Sequence, residues 1–558
     1  MTGRGTRPRR WRWLVGSLGA LALLASACDS GEGGGTTVTY VAVAGGTIAF
    51  GMTESPTGCN PNTPAGDTPG TQTILDAVLA SPYVPDTANN NGAPTPNSDL
   101  IISSEVVNTA TPETVVYTIN PKAVWSDGMP ITAADFVYAW QAQRGEPTTT
   151  TPDVSTIQGY KDIASVKGSN GGRTVTVTFK TAYADWPSLF AYLMPAHVME
   201  KVGWNPSCTT VNPAIDLSGG PFKIASVTPQ TITLVHNPKW WGTPANASSI
   251  VIHIASSTAQ LAQWMASGYI QVAQPTTVTP SFLTQMTGLP NAQSDVATSN
   301  RLLQLDMASS LDSNLSPDLR VAIGLLINRQ DLVNQQVSWA VPGIAVADSH
   351  VYVQGQQNYK PASNGATTTT VPAPTSSTST TVIGAGGSVN FPVTPVPDQA
   401  AAFLEASGLT RAGGTQFYHS AFGAPFQLHM VYDATDSWAA SAAPVLRAEL
   451  EAAGLDTTLA PVTGAALTGQ VLADGFADLA VLPQTFSPYM SQTLAWYTTL
   501  LGPPGKNGSE DWTNFSNADF EKTVETASQQ LNPDKAAPYY AQADTQLWDE
   551  MVSLPLFA

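Results

Sequence analysis

Three cysteines and six histidines in 558 residues remove several chemistries at once. No His-Glu-x-x-His pair occurs and no histidine lies near a cysteine at zinc spacing, so no metal site is expected. There is neither a Gly-x-Ser-x-Gly elbow nor a phosphate-cradling Gly-Lys-Ser loop. Gly384-Ala-Gly-Gly-Ser-Val389 approaches a dinucleotide fingerprint but lacks the third glycine at the right spacing. The chain therefore calls for no cofactor, and catalysis is not expected. Basic residues are also scarce, 23 against 41 acidic. Phosphate backbones need a basic footprint, so nucleic acid is excluded as a partner.

Long apolar runs are missing beyond the N-terminus, where Leu14 to Leu24 is itself too short for a comfortable membrane span. Arg4, Arg7, Arg9, Arg10 and Arg12 precede it, and Ala25-Ser-Ala-Cys28 follows. The three parts together resemble a bacterial lipoprotein signal, with residues 1–28 as the processed segment and Cys28 as the lipidated residue; an ordinary signal peptide with a chance cysteine is the alternative. Residues 29–37, Asp-Ser-Gly-Glu-Gly-Gly-Gly-Thr-Thr, read as a flexible tether. Without the five leading arginines the mature chain carries a formal charge of −23, which favours a well-hydrated surface.

With Cys28 assigned to lipid, Cys59 and Cys208 form one pair in an exported, oxidising setting. A disulfide is expected between them, closing a long loop and worth roughly 5 kcal/mol at most. Two buried free thiols are the other possibility.

The most informative segment is Trp125-Ser-Asp-Gly-Met-Pro-Ile-Thr-Ala-Ala-Asp-Phe-Val-Tyr-Ala-Trp140. Asp127-Gly128 suits a tight turn, Thr132 and Asp135 a capping box, and Phe136, Val137 and Trp140 an apolar helix stripe. Further on, Gly219-Gly-Pro-Phe-Lys-Ile-Ala-Ser-Val and Thr231-Ile-Thr-Leu-Val-His-Asn-Pro-Lys-Trp-Trp-Gly242 read as two strands ending in a turn. In that order these pieces resemble the extracellular solute-binding proteins of family 5, which serve peptide and nickel ABC importers. Thr258 to Gly268, Arg320-Val-Ala-Ile-Gly-Leu-Leu-Ile-Asn-Arg329, Gln399 to Gly408, Glu449 to Leu455 and Trp512 to Phe520 continue the likeness over residues 45 to 557.

The resemblance implies an α/β, two-lobed periplasmic-binding-protein fold, class II and of the large peptide-binding type, hinged around an interlobe cleft. The expected division places lobe I with an extra subdomain at 38–301, lobe II at 302–530 and a segment returning to lobe I at 531–558. Residues 362–388, rich in Thr, Pro and Gly, are too poor in apolar residues to fold and read as a disordered insertion in lobe II.

It further implies a monomer that binds a peptide or small-molecule ligand, delivers it to ABC permease subunits and is held to the membrane by its lipid anchor. Cleft walls are expected at Glu54 to Asn62, Gln304 to Met307, Tyr432 to Trp438 and Leu482 to Tyr489. Glu54, Asn60, Asp306, Asp433 and Gln484 are the expected polar anchors, with Trp438, Phe486 and Tyr489 as apolar contacts. Peptide-binding relatives place an acid after the strand matching Phe476 to Leu482, where it neutralises the peptide ammonium. Here Pro483-Gln484-Thr485-Phe486 stands instead, which weakens the case for free peptides and favours an amide, glycan or lipid-linked ligand. Some actinobacterial lipoproteins resembling this family act in synthesis of mannose-rich envelope glycolipids, which sets a non-transport regulator beside the importer receptor.

Overall fold

The computed structural model describes residues 45–558 apart from 57, 59, 86–93, 110–112, 146–153, 205–217, 291, 294–299, 311–312, 354–355, 357–358, 360–390, 412–415, 464–476 and 502–510. The leader, Cys28, the tether, Cys59, Cys208 and the 362–388 insertion therefore lie outside the described residues.

The first sheet is built on Thr47–Met52, which pairs in parallel with Ser249–Ile254 on one side and Val272–Gln274 on the other. Ser249–Ile254 continues antiparallel through Thr231–His236 to Phe222–Val227. Between the first strand and that return, the chain builds a separate antiparallel sheet ordered Ile101–Asn108, Thr114–Ile119, Thr174–Phe179, Ile163–Ser169. Thr114–Ile119 and Thr174–Phe179 alternate strictly between half-buried and buried positions, so one face is committed to an apolar core. This sheet is the subdomain of the first lobe.

The turn and helix legible in the sequence form as expected. Asp127 Oδ1 accepts the Met129 N–H at 2.9 Å, and Gly128 takes the positive φ of 93° that the turn needs. Thr132 and Asp135 complete a capping box at the start of Ala133–Gln143. Arg173 locks the approach, donating to the carbonyls of Asn120, Ala123 and Ile131 at 3.2, 2.9 and 2.8 Å. The second signature is likewise a lock: Asn237 Nδ2 donates to the Gly220 carbonyl at 2.8 Å, and a Cβ on Gly220 would lie 2.5 Å from the Ala77 carbonyl oxygen. Both motifs that identify the chain act in packing.

The second lobe is one sheet ordered Asp456–Val462, Gln427–Asp433, Leu479–Thr485, Arg301–Met307, Ser553–Phe557. Leu303, Leu305 and Met307 of the crossover strand Arg301–Met307 pack with Leu319, Ile323, Leu446 and Leu450 of the helices on one face. The Arg320–Arg329 segment is not one helix; Pro317–Leu326 ends at Ile327, and Arg329–Gln336 starts anew under an Asn328 cap. The break frees Arg329 to enter the core, where it donates to the carbonyls of Ala347, Pro555, Phe391 and Pro392.

One expected boundary is corrected. The C-terminal segment does not return to the first lobe, because Ser553–Phe557 pairs antiparallel with Arg301–Met307 in the second sheet. All five of its residues are buried, and such a strand is stable only between packed layers. The Arg329 guanidinium on Pro555 and the His350 ring on the Ser553 carbonyl, at 3.0 Å, tie it down further.

The two lobes keep separate apolar cores. Among the described residues, one small cluster spans them: Val154, Ile157 and Trp204 of the first lobe with Ala495 of the second. Phe136 anchors the subdomain core, fully buried with ring centroids 5.7 Å from Tyr117 and 5.0 Å from Phe190. Phe136→Ala is expected to destabilise the subdomain by about 3–5 kcal/mol, measured as a lowered urea midpoint with the second lobe's transition unmoved.

Candidate functional site

In open α/β sheets ligands bind beyond the carboxyl ends of the strands. Thr47–Met52, Ser249–Ile254 and Val272–Gln274 are parallel, so their ends point one way, and there the Thr53 and Thr276 hydroxyls meet at 2.6 Å. In the second lobe, Gln427–Asp433, Leu479–Thr485 and Ser553–Phe557 all run opposite to the crossover strand. Their carboxyl ends therefore gather around Arg301, where the chain arrives from the first lobe.

The expected anchors divide into two groups. Glu54 is half-buried in the loop after Met52, beside Gly70, and Asp433 is half-buried in a turn, accepting the Thr435 N–H at 2.9 Å and hydroxyl at 2.6 Å. Trp438 is half-buried, its ring 5.3 Å from Phe557 with the Arg301 guanidinium 5.2 Å above it, and Arg301 also pairs with Asp436. Asp433, Trp438 and the Arg301–Asp436 pair come together at the carboxyl edge of the second sheet. Tyr489 is half-buried and faces the first lobe, where burial and the Asp185 charge push its hydroxyl pKa up.

Asn60, Asp306, Gln484 and Phe486 instead turn inward. Asn60 donates to the Trp204 carbonyl at 2.7 Å and accepts the Asn62 N–H at 3.0 Å. Phe486 packs with Leu302 and Val353, and its backbone pairs with Asn300. Asp306 accepts from Gln304 Nε2 at 2.6 Å, and Gln484 donates to the Thr493 carbonyl at 3.1 Å. The Tyr497 hydroxyl joins them, 2.9 Å from Gln304 Oε1, 3.3 Å from Gln484 Oε1 and 3.1 Å from Ser553 Oγ. Burial pushes Asp306 well above the usual carboxylate range, with nearby Asp511 adding to it, and burial lifts Asp511 itself to about 7. These side chains form an internal network that leaves their polar atoms engaged with protein.

Residues that sequence reasoning missed join the lobes. The Tyr183 hydroxyl lies 3.1 Å from Ser491 Oγ, and Asp185 Oδ2 accepts the Ser491 N–H at 3.0 Å. Lys161 Nζ donates to the Leu500 carbonyl at 3.2 Å. The only signal available was position, a loop after the strand Arg173 to Lys180, and loops after core strands carry function more often than the strands do. Behind this loop Glu113 is fully buried; its Oε2 accepts the Tyr183 N–H at 2.7 Å, while Oε1 has no partner among the described residues. Burial raises the Glu113 pKa from 4.5 to about 7.

Among the described residues no group of three His, Cys, Asp or Glu side chains is placed to hold a metal, and no helix is long and apolar enough to cross a membrane.

Two sheets with separate cores and a largely polar join define a two-lobed solute-binding architecture. The chain belongs to the bacterial extracellular solute-binding proteins, family 5, whose profile matches residues 100–507. It is 29% identical over 352 residues to the probable monoacyl phosphatidylinositol tetramannoside-binding protein LpqW of Mycobacterium tuberculosis, covering 61% of this chain and 52% of that one. The chain thus spans about half the length of that relative. It is 24% identical over 525 residues to the oligopeptide-binding protein OppA of Mycobacterium bovis, covering 92% of this chain and 80% of OppA. In fold it is similar to the periplasmic EDTA-binding protein EppA, with a TM-score of 0.77, 22% identity and coverage of 95% and 93%.

Glu113 gives the site a measurable pH signature. Its folded pKa is raised, so between about 4.5 and about 7 the unfolded chain releases a proton that the folded chain keeps. The group's contribution to stability is therefore highest below that window and lost as pH rises through it. Glu113→Gln is expected to flatten this part of the stability profile and to stabilise the protein above pH 7, read from urea midpoints across the range.

Proposed function

We propose that the protein is a lipid-anchored receptor on the outer face of the cytoplasmic membrane. It captures an oligopeptide or similarly sized polar solute between its lobes and hands it to an ABC permease. The observation that carries this reading is the family match, together with two lobes that keep separate cores. Ligand held at both edges stabilises the joined arrangement by differential affinity, and no covalent chemistry is needed. Half-buried Glu54, Asp433, Trp438 and Tyr489 are the proposed ligand contacts from the sequence-derived set. Asn60, Asp306, Gln484 and Phe486 support them from behind.

A second reading is a non-transport regulator in envelope glycolipid synthesis. The observation favouring it is the match to LpqW, a protein named for a mannosylated phosphatidylinositol, together with the missing acid at Pro483 to Phe486.

The test is to express the Cys28→Ser chain, purify it natively, denature it and identify what it releases by mass spectrometry. A heterogeneous set of short peptides is the expected result. A mannose-bearing lipid would replace the import reading with the second, and an empty protein would argue against tight, promiscuous peptide capture.

A further inference from the structure

Three consecutive residues of the subdomain, Tyr183-Ala184-Asp185, each send one polar group across to the second lobe. The Tyr183 hydroxyl reaches Ser491 Oγ at 3.1 Å, the Ala184 N–H donates to the Ser528 carbonyl at 2.7 Å, and Asp185 Oδ2 accepts the Ser491 N–H at 3.0 Å. Ser491 lies in the short helix Met490–Thr493 directly after the expected ligand loop, and Ser528 ends the helix Ala518–Ser528. The strip is held from behind by Glu113, which accepts the Tyr183 N–H. It is therefore a preset strip on the first lobe meeting two fixed helix ends on the second.

Two further observations separate this join from ordinary packing. The lobes share little apolar core, so what binds them here is polar and exchangeable with water, as in interfaces between domains that move. No Lys or Arg forms an ion pair with Asp185 among the described residues, so its bond across the join is to a backbone N–H. Tyr489, one of the proposed ligand contacts, lies within electrostatic reach of that carboxylate.

We infer that Tyr183-Ala184-Asp185 is a clasp that sets the balance between separated and joined lobes, with Asp185 as its positioning residue. The inference deepens the receptor reading and rests on it for its biological use. Apparent ligand affinity scales with the fraction of protein in the competent arrangement, so the clasp tunes affinity without touching the ligand.

The test needs no ligand. Spin labels are introduced by non-cysteine chemistry at exposed Lys167 of the subdomain and exposed Lys535 of the second lobe in the Cys28→Ser chain, and the distance distribution is recorded. Asp185→Ala is expected to raise the ratio of separated to joined lobes about tenfold, the worth of one charge-assisted hydrogen bond, and Tyr183→Phe about threefold. Asp185→Asn, which keeps an acceptor oxygen, is expected to fall between wild type and Asp185→Ala. An unchanged distribution in Asp185→Ala and Tyr183→Phe overturns the clasp, as does a change matched by equal loss of thermal stability in the isolated unfolding transition of the subdomain. Release of a mannose-bearing lipid in the ligand experiment would replace the import reading and leave this result standing.

Discussion

The crossover strand Arg301–Met307 carries the constraint on which the second lobe depends, because it is buried on both faces and the faces differ in chemistry. One face is Leu303, Leu305 and Met307 against the helical core; the other is Gln304 and Asp306 against Tyr497. Polar groups taken out of water must be paired or they cost 1–3 kcal/mol each, so the second face dictates its surroundings. Gln484, Ser553 and Tyr497 are all placed by that demand. Docking of the C-terminal strand follows from the same requirement: Ser553 completes the network from one side, while His350, paired with Asp544, holds the Ser553 carbonyl from the other. Burial in and beside this layer raises the pKa values of Asp306 and Asp511.

Each lobe has its own apolar interior packed as a unit, and the described contacts between them are the polar join at Tyr183 to Asp185, the Lys161–Leu500 bond and one small apolar cluster. Hydrogen bonds across that join exchange with water at small net cost, whereas opening a shared apolar core would expose area worth ~25 cal/mol per Å². The small cluster around Trp204 and Ala495 adds a limited apolar contribution to the joined state.

Much of the fold was legible. Thr132 and Asp135 cap their helix as the spacing implies, and the two alternating runs after Gly219 and from Thr231 form the strands Phe222–Val227 and Thr231–His236. The apolar pattern from Arg320 carries no mark of the break at Ile327 and Asn328, beyond which Arg329 reaches four carbonyls of the folded lobe. The C-terminal segment was assigned to the wrong lobe because an apolar strand carries no label for its sheet. Within the candidate site, Glu54, Asp433, Trp438 and Tyr489 are half-buried, while three expected polar anchors, Asn60, Asp306 and Gln484, and the expected apolar contact Phe486 are buried.

Local chemistry explains that division. Turn residues, caps and period-two alternation act over a few positions, so the sequence by itself determined many local elements and the family. Which polar side chains face a cleft and which satisfy one another depends on partners far apart in the chain. Asp185 and Ser491 are separated by 306 positions, and Tyr497 and Gln304 by 193. Only the tertiary structure brought those pairs within hydrogen-bonding distance, and with them it decided where the second lobe is sealed and where the two lobes meet.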